Sequence, residues 1–199
     1  MNRKQFFDKL AENWDSSPKI KQTIKKIEQK IFPLLKQFFK KGDNILDLGC
    51  GTGILLPYLE KLVGKKGKVY ALDFSQKMLN KAKEKFADRF VYVKANAHNM
   101  PFENEKFDGV VCFNTFPHFV NKLKALKEVY RVLKKDGYFI IAHSKNREEI
   151  NSHHKKLEGL VAKDFIPTDK ELVLLSKKAK FSEINFIENN KIYFCVTKK

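Results

Sequence analysis

The 199-residue chain is expected to fold as an α/β protein: a mostly parallel seven-stranded sheet, helices on both faces, ended by a C-terminal antiparallel hairpin strand. Three observations point there. Short apolar runs alternate with helical patterns, and strands linked through helices pair in parallel. A glycine-rich stretch lies where the first run passes into a helix. The last two runs are joined only by Asn189-Asn190, which is hairpin spacing.

Taken in order, residues 5–15 bring Phe6, Phe7, Leu10 and Trp14 to one helical face, and residues 20–39 carry Ile20, Ile24, Ile27, Ile31, Leu34 and Phe38 at similar spacing. Both read as amphipathic helices preceding the sheet. Lys41-Gly42-Asp43 breaks the pattern, and 44–48 reads as a buried strand. A helix over 52–63, a turn over 64–67 and a strand over 68–73 complete a βαβ unit. The series continues with a helix over 75–86, strands over 90–94 and 109–113, a helix over 121–133 and a strand over 138–143. Helices over 147–163 and 169–179 lead to strands over 183–188 and 191–197, with Asn189 and Asn190 suited to the positive φ of a tight turn. A single domain accommodates the length: residues 1–41 as N-terminal helices and candidate lid, residues 42–199 as the core.

Composition narrows the function. The three cysteines, Cys50, Cys112 and Cys195, lie far apart, which argues against a disulfide framework or a CxxC zinc site and for reduced thiols in the cytoplasm. No apolar run approaches the roughly 20 residues of a membrane span, and the opening MNRKQFFDKLAENWD lacks the apolar core of a secretory signal. A net charge of +17 admits an acidic partner such as RNA. Against it, only Arg3, Arg89, Arg131 and Arg147 of the 40 basic residues are arginine, and the lysines are scattered along nearly every helix like solvated faces. Nucleic acid is therefore not the favoured partner.

The most informative stretch is Ile45-Leu46-Asp47-Leu48-Gly49-Cys50-Gly51-Thr52-Gly53. Glycines at a strand-to-helix passage let backbone turn sharply and approach a ligand, although one alone would suggest only a tight turn. The spacing is G-x-G-x-G, with Ile54 where a dinucleotide loop places its third glycine. Asp47 would repel a pyrophosphate but suits the ammonium of an amino acid. Asp73 ends the second strand, where a carboxylate accepts from ribose hydroxyls; capping the next helix is its other reading, with Ser75 as the rival cap.

ILDLGCGTG, then VYALDFSQKML, NAHNMPFENEKFDGVVCFNTF and RVLKKDGYFIIAH, resembles the ordered motifs of class I S-adenosylmethionine-dependent methyltransferases, Rossmann-like enzymes, especially the branch of ubiquinone and menaquinone biosynthesis. The resemblance covers residues 43–143, and the tail from 169 to 199 fits the family's last helix and hairpin. It implies S-adenosyl-L-methionine as cofactor, with Asp47, Gly49, Cys50 and Gly51 around its methionine part, Asp73 at the ribose, Phe74 and Met78 on the adenine face, Ala97 beside adenine and Asn114 near the methionine end. Relatives usually carry aspartate where this chain has Asn96, whose amide oxygen still accepts from the adenine amino group.

Ligands in open α/β sheets gather at the carboxyl ends of strands, which directs attention to His118 after the fourth strand and His143 at the end of the fifth. On the next helix, with Asn146 and Glu149 as a capping box, Ile150, His153, Leu157, Leu160 and Val161 share a face, so His153 is expected inward and His154 turned away. Two uses compete for His118, His143 and His153. A histidine could take the acceptor's proton, or the three could hold a divalent metal. Asn114-Thr115-Phe116-Pro117 differs from the Pro-Pro-aromatic signature of base-amino methyltransferases, so a small-molecule acceptor is expected. The alternatives are transfer of another group, such as aminopropyl, from a related cofactor, and a non-catalytic, RNA-associated S-adenosylmethionine-binding protein.

Overall fold

The computed structural model describes residues 2–199. Ahead of the sheet lie α1 (Arg3–Leu10) and a helical segment formed by α2 (Lys19–Lys26), a π-turn (Ile27–Ile31) and α3 (Phe32–Leu35). Pro33 has no N–H to give to the preceding turn, and the chain answers with a wider turn in which Phe32 N–H donates to Ile27 O, leaving both Ile27 and Ile31 buried. The first helix ends at Leu10, earlier than the spacing predicts; Trp14 sits in the turns beyond it.

The core follows as β1 (Asn44–Leu48), α4 (Leu56–Val63), β2 (Lys68–Asp73), α5 (Gln76–Phe86), β3 (Val91–Lys94), β4 (Phe107–Phe113), α6 (Lys122–Val132), β5 (Leu133–His143), α7 (Arg147–Lys155), α8 (Asp169–Lys178), β6 (Glu183–Glu188) and β7 (Tyr193–Lys198). Strand order is β3-β2-β1-β4-β5-β7-β6, and only β7 runs against the rest. Alternation along β1 sends Leu46 and Leu48 to the cluster with Phe107, Phe116 and Phe139, and Ile45 to the other face with Ile27, Ile31 and Leu59. Both faces of the sheet are covered, as a parallel sheet needs. Because order reverses between β1 and β4, a crevice opens at the carboxyl ends of these strands.

Several local expectations change. Helix α4 begins only at Leu56, since Gly49, Gly51 and Gly53 all hold positive φ and the chain cannot turn helical until past them. Strand β5 reaches back to Leu133 through an irregularity at Asp136, where φ is 63°. The hairpin does not use positive φ at Asn189 or Asn190; instead Asn189 Oδ1 accepts from Lys191 N–H at 2.9 Å and Ile192 N–H at 3.2 Å, folding the turn with a side chain. The single helix expected over 147–163 is broken: α7 stops at Lys155 and a short 3₁₀ turn follows at Gly159–Val161, entered through Gly159 at φ 76°.

Candidate functional site

Gly49 and Cys50 donate their N–H groups to Leu72 O at 2.8 and 3.0 Å, tying the glycine loop to β2. A Cβ on Gly49 would stand 2.3 Å from Thr115 Cγ2, whereas one on Gly51 would meet nothing within 4 Å. Gly49 thus serves packing against the loop after β4, and Gly51 keeps bare backbone facing open space. Thr115 completes the join by donating its hydroxyl to Gly49 O at 2.9 Å.

Two carboxylates flank this loop. Asp73 accepts from Ser75 N–H at 2.8 Å and Gly51 N–H at 2.9 Å, so it organises the loop as well as facing the crevice. Burial raises its pKa to about 6, with those hydrogen bonds opposing the rise. Ser75, not Asp73, caps α5, accepting from Met78 N–H. Asp47 is 1% exposed, and its Oδ2 has no hydrogen-bond partner. Burial, then the neighbouring Asp73, pushes its pKa up to about 8. A buried carboxylate left in this state calls for a cation.

A cavity of about 70 Å³ opens beside the loop, lined by Gly49, Asp73, Phe74, Asn96, Ala97 and His118 among others. These are six of the residues singled out from the sequence. Cys50 and Met78 lie buried next to them, the first in the core under the loop and the second beneath α1 with Phe7, Ala11 and Val161. Asn96 Oδ1 accepts from His98 N–H at 3.0 Å, and the same oxygen has a second lone pair for a ligand. Asn114, at φ 54°, accepts from Ser144 N–H at 2.9 Å and thereby links the ends of β4 and β5.

The histidines separate. His118 Nδ1 lies 2.6 Å from Asp164 Oδ2, and its ring meets Phe7 of α1 at 5.0 Å between centroids. His143 is 3% exposed, and burial together with His118 and His154 depresses its pKa to about 3, so it stays neutral. A group of that pKa is a poor match for a base near neutrality. His153 is exposed, and it is His154 that is buried, 5.2 Å from the His118 ring. The expectation for His153 fails because Leu157, Leu160 and Val161, used to set the helical face, lie beyond the end of α7; Ile150 and His154, four apart, mark the true inward face. His118, His143 and His153 therefore do not form a ligand trio, and among the described residues no three His, Cys, Asp or Glu side chains are placed to share an ion.

Helix α1 and the turns after it contact both sides of the crevice. Ser75 donates its hydroxyl to Asp8 Oδ1 at 2.5 Å, Thr52 to Asp15 Oδ1 at 2.7 Å, and Arg3 reaches Asp164. Arg3, Asp8, Asp15, Asp164 and His154 carry no sequence signal of their own, since they act from turns and a short helix that only the tertiary fold brings to the crevice. A more open cleft elsewhere, near the start of β5, is lined by Lys127, Arg131, Lys178 and Lys180; Arg131 and Lys178 lie in the last turns of α6 and α8, where cations complement the helix dipoles.

Residues 46–141 match the methyltransferase domain family. An uncharacterised protein of Methanocaldococcus jannaschii is 40% identical over 140 residues, 70% of this chain and 51% of that one. The demethylmenaquinone methyltransferase of Symbiobacterium thermophilum is 32% identical over 142 residues, 69% of this chain and 57% of that one. The chain thus spans about half the length of these curated relatives. A crystal structure of an S-adenosylmethionine-dependent methyltransferase from Aquifex aeolicus aligns with a TM-score of 0.73 at 26% identity, covering 100% of this chain and 99% of that one.

Proposed function

We infer that the chain belongs to the class I S-adenosylmethionine-dependent methyltransferases, the premise of its activity, from its likeness to the methyltransferase domain family, to a menaquinone-type enzyme and to a solved methyltransferase. Its reaction is transfer of the cofactor's methyl group to a small-molecule acceptor. The observation that carries this reading is the buried, unpartnered Oδ2 of Asp47 beside the open backbone of Gly51. A carboxylate of this kind suits the ammonium of the methionine moiety, and Asp73 one strand over suits the ribose. Phe74, Met78 and Ala97 would border the adenine, with Asn96 accepting from its amino group.

When bound, the cofactor supplies a methyl group already activated on a positively charged sulfur. What remains for the chain is alignment, exclusion of water and removal of the acceptor's proton. His118 is the candidate base. Its Nδ1 faces an ionised Asp164, which fixes the proton on that nitrogen and leaves Nε2 to accept another. The alternative, a divalent metal on His118, His143 and His153, loses its third ligand with His153 turned outward.

Helix α1 is read as a lid, with residues 42–199 as the core beneath it. A cavity of about 70 Å³ falls short of the roughly 300–1,000 Å³ typical of small-molecule sites, so the contacts of α1 have to loosen for cofactor and acceptor to enter. An enclosed site beneath the Phe7 face of α1 also favours a small acceptor over a polynucleotide. The buried thiols of Cys50, Cys112 and Cys195 suit the reducing cytoplasm, and among the described residues no helix is long and apolar enough to cross a membrane.

Calorimetry with S-adenosylmethionine and S-adenosylhomocysteine tests the premise, and indifference to both ligands would overturn it. A labelled-methyl assay on extract fractions then looks for the acceptor. Release of S-adenosylhomocysteine supports methyl transfer, whereas methylthioadenosine would indicate aminopropyl transfer.

A further inference from the structure

The side chain that joins the lid to the candidate base is Arg3. Its guanidinium grips both carboxylate oxygens of Asp164, Nη1 to Oδ2 at 2.5 Å and Nη2 to Oδ1 at 2.9 Å, and Nη2 also donates to Leu160 O at 2.8 Å. His118 Nδ1 shares the same Oδ2 at 2.6 Å. The Asp164 side chain is only 7% exposed, so these contacts are made largely out of water. We propose that Arg3 is a positioning residue of the acceptor site: docking of the N-terminal helix balances the charge of Asp164, so that the carboxylate orients His118 without holding it as imidazolium. This rests on the reading of His118 as the acceptor's base.

The reasoning is electrostatic. A carboxylate alone beside an imidazole favours the charged ring, which has no lone pair left to accept a proton. A guanidinium on the same carboxylate cancels most of that bias while leaving the Nδ1 hydrogen bond in place. With α1 docked, Asp164 is shared between a guanidinium and the imidazole; with α1 away, the imidazole faces the carboxylate without that guanidinium. The base is thus readied by the motion that shuts out water. The other titratable groups around this cluster are His154 from α7, His143 at the end of β5, His98 from the loop after β3, and Lys122 at the start of α6, which donates to Pro117 O and Phe119 O.

The test is histidine-selective ¹⁵N NMR on the full chain, with His118 assigned from a His118→Gln control and α1 docking followed by hydrogen exchange. Arg3→Gln is expected to raise the titration midpoint of His118 by about one pH unit, Asp164→Asn to lower it, and Arg3→Lys to restore most of the native value. An Arg3→Gln midpoint equal to the wild type would overturn the proposal. So would failure of Arg3→Lys to restore the midpoint while its α1 exchanges as slowly as in the wild type. If Arg3 merely fastens the helix, Arg3→Gln speeds exchange in α1 and leaves the midpoint unmoved. Calorimetry of S-adenosylmethionine on the same proteins keeps the outcomes apart: loss of cofactor binding by the wild type sinks the methyltransferase reading, whereas normal binding with an unmoved midpoint sinks only this one.

Discussion

Asp47 concentrates the conflict between stability and binding in one side chain. Its carboxyl, with a pKa near 8 in the fold against about 3.9 in an unfolded chain, binds a proton in the native state through a window where the unfolded state has lost it. Stability of the ligand-free protein should therefore fall as pH rises from 4 to 8, and Asp73, with a pKa near 6, adds to the slope in its lower half. Thermal melts of Asp47→Asn should show a flatter pH dependence and a higher melting temperature at pH 8 than the wild type. Binding should move the other way. The substituted protein should bind S-adenosylmethionine at least about thirtyfold more weakly at neutral pH, since a close charge pair in a buried site contributes about 2–5 kcal/mol. Affinity of the wild type should climb from pH 6 towards 7.5, as the carboxyl ionises more readily, and fall again once the ligand's ammonium, with an α-amino pKa of about 7.7–8.0, deprotonates. A pH-independent binding isotherm would contradict the role given to this residue.

Among the elements, the glycine loop shows how adjacent positions of the same residue type divide the work. Gly49→Ala drives a Cβ into Thr115 at 2.3 Å in a backbone with φ 78°, so it should destabilise the fold by more than about 2 kcal/mol in denaturant titrations. Gly51→Ala, at φ 54° but with open space around it, should cost only about 1 kcal/mol of stability yet weaken cofactor binding at least tenfold. Equal effects of the two on folding would refute the distinction. Helix α7 illustrates the limit of periodicity. The pattern from Ile150 to Val161 reads as one helix, but Gly159 at positive φ and a chain that stops donating in register after Lys155 split it. The inward histidine moves from 153 to 154 because its partner on the face is Ile150 and not Leu157. His154→Ala should accordingly disturb the NMR signal of the His118 ring, and His153→Ala should not.

At the scale of the molecule, α1, with the turns that follow it, bridges the two sides of the crevice: Asp8 of the helix meets Ser75 at the start of α5, Asp15 of the turns meets Thr52 of the glycine loop, and Arg3 of the helix meets Asp164 in the segment after α7. If it is a lid, hydrogen exchange in residues 3–10 should slow markedly when S-adenosylmethionine binds, and the melting temperature should rise with ligand concentration, by about 2.7 kcal/mol of stability at a hundredfold excess over the dissociation constant. Unchanged exchange in α1 would assign it to plain packing. The mostly parallel sheet with its closing hairpin and the glycine loop were legible in the sequence because their signals are local: an apolar run and three glycines at fixed spacing impose the same backbone wherever they occur. The acceptor side was not, since Asp164 and His154 reach His118 from 46 and 36 residues away, and Arg3 reaches Asp164 from 161 residues away. Sequence alone thus determined the α/β frame and the glycine loop between β1 and α4. Only the tertiary structure decided which histidine meets a carboxylate and what closes over it, because long-range side-chain pairing depends on where loops and a short N-terminal helix come to rest, and no residue spacing encodes that.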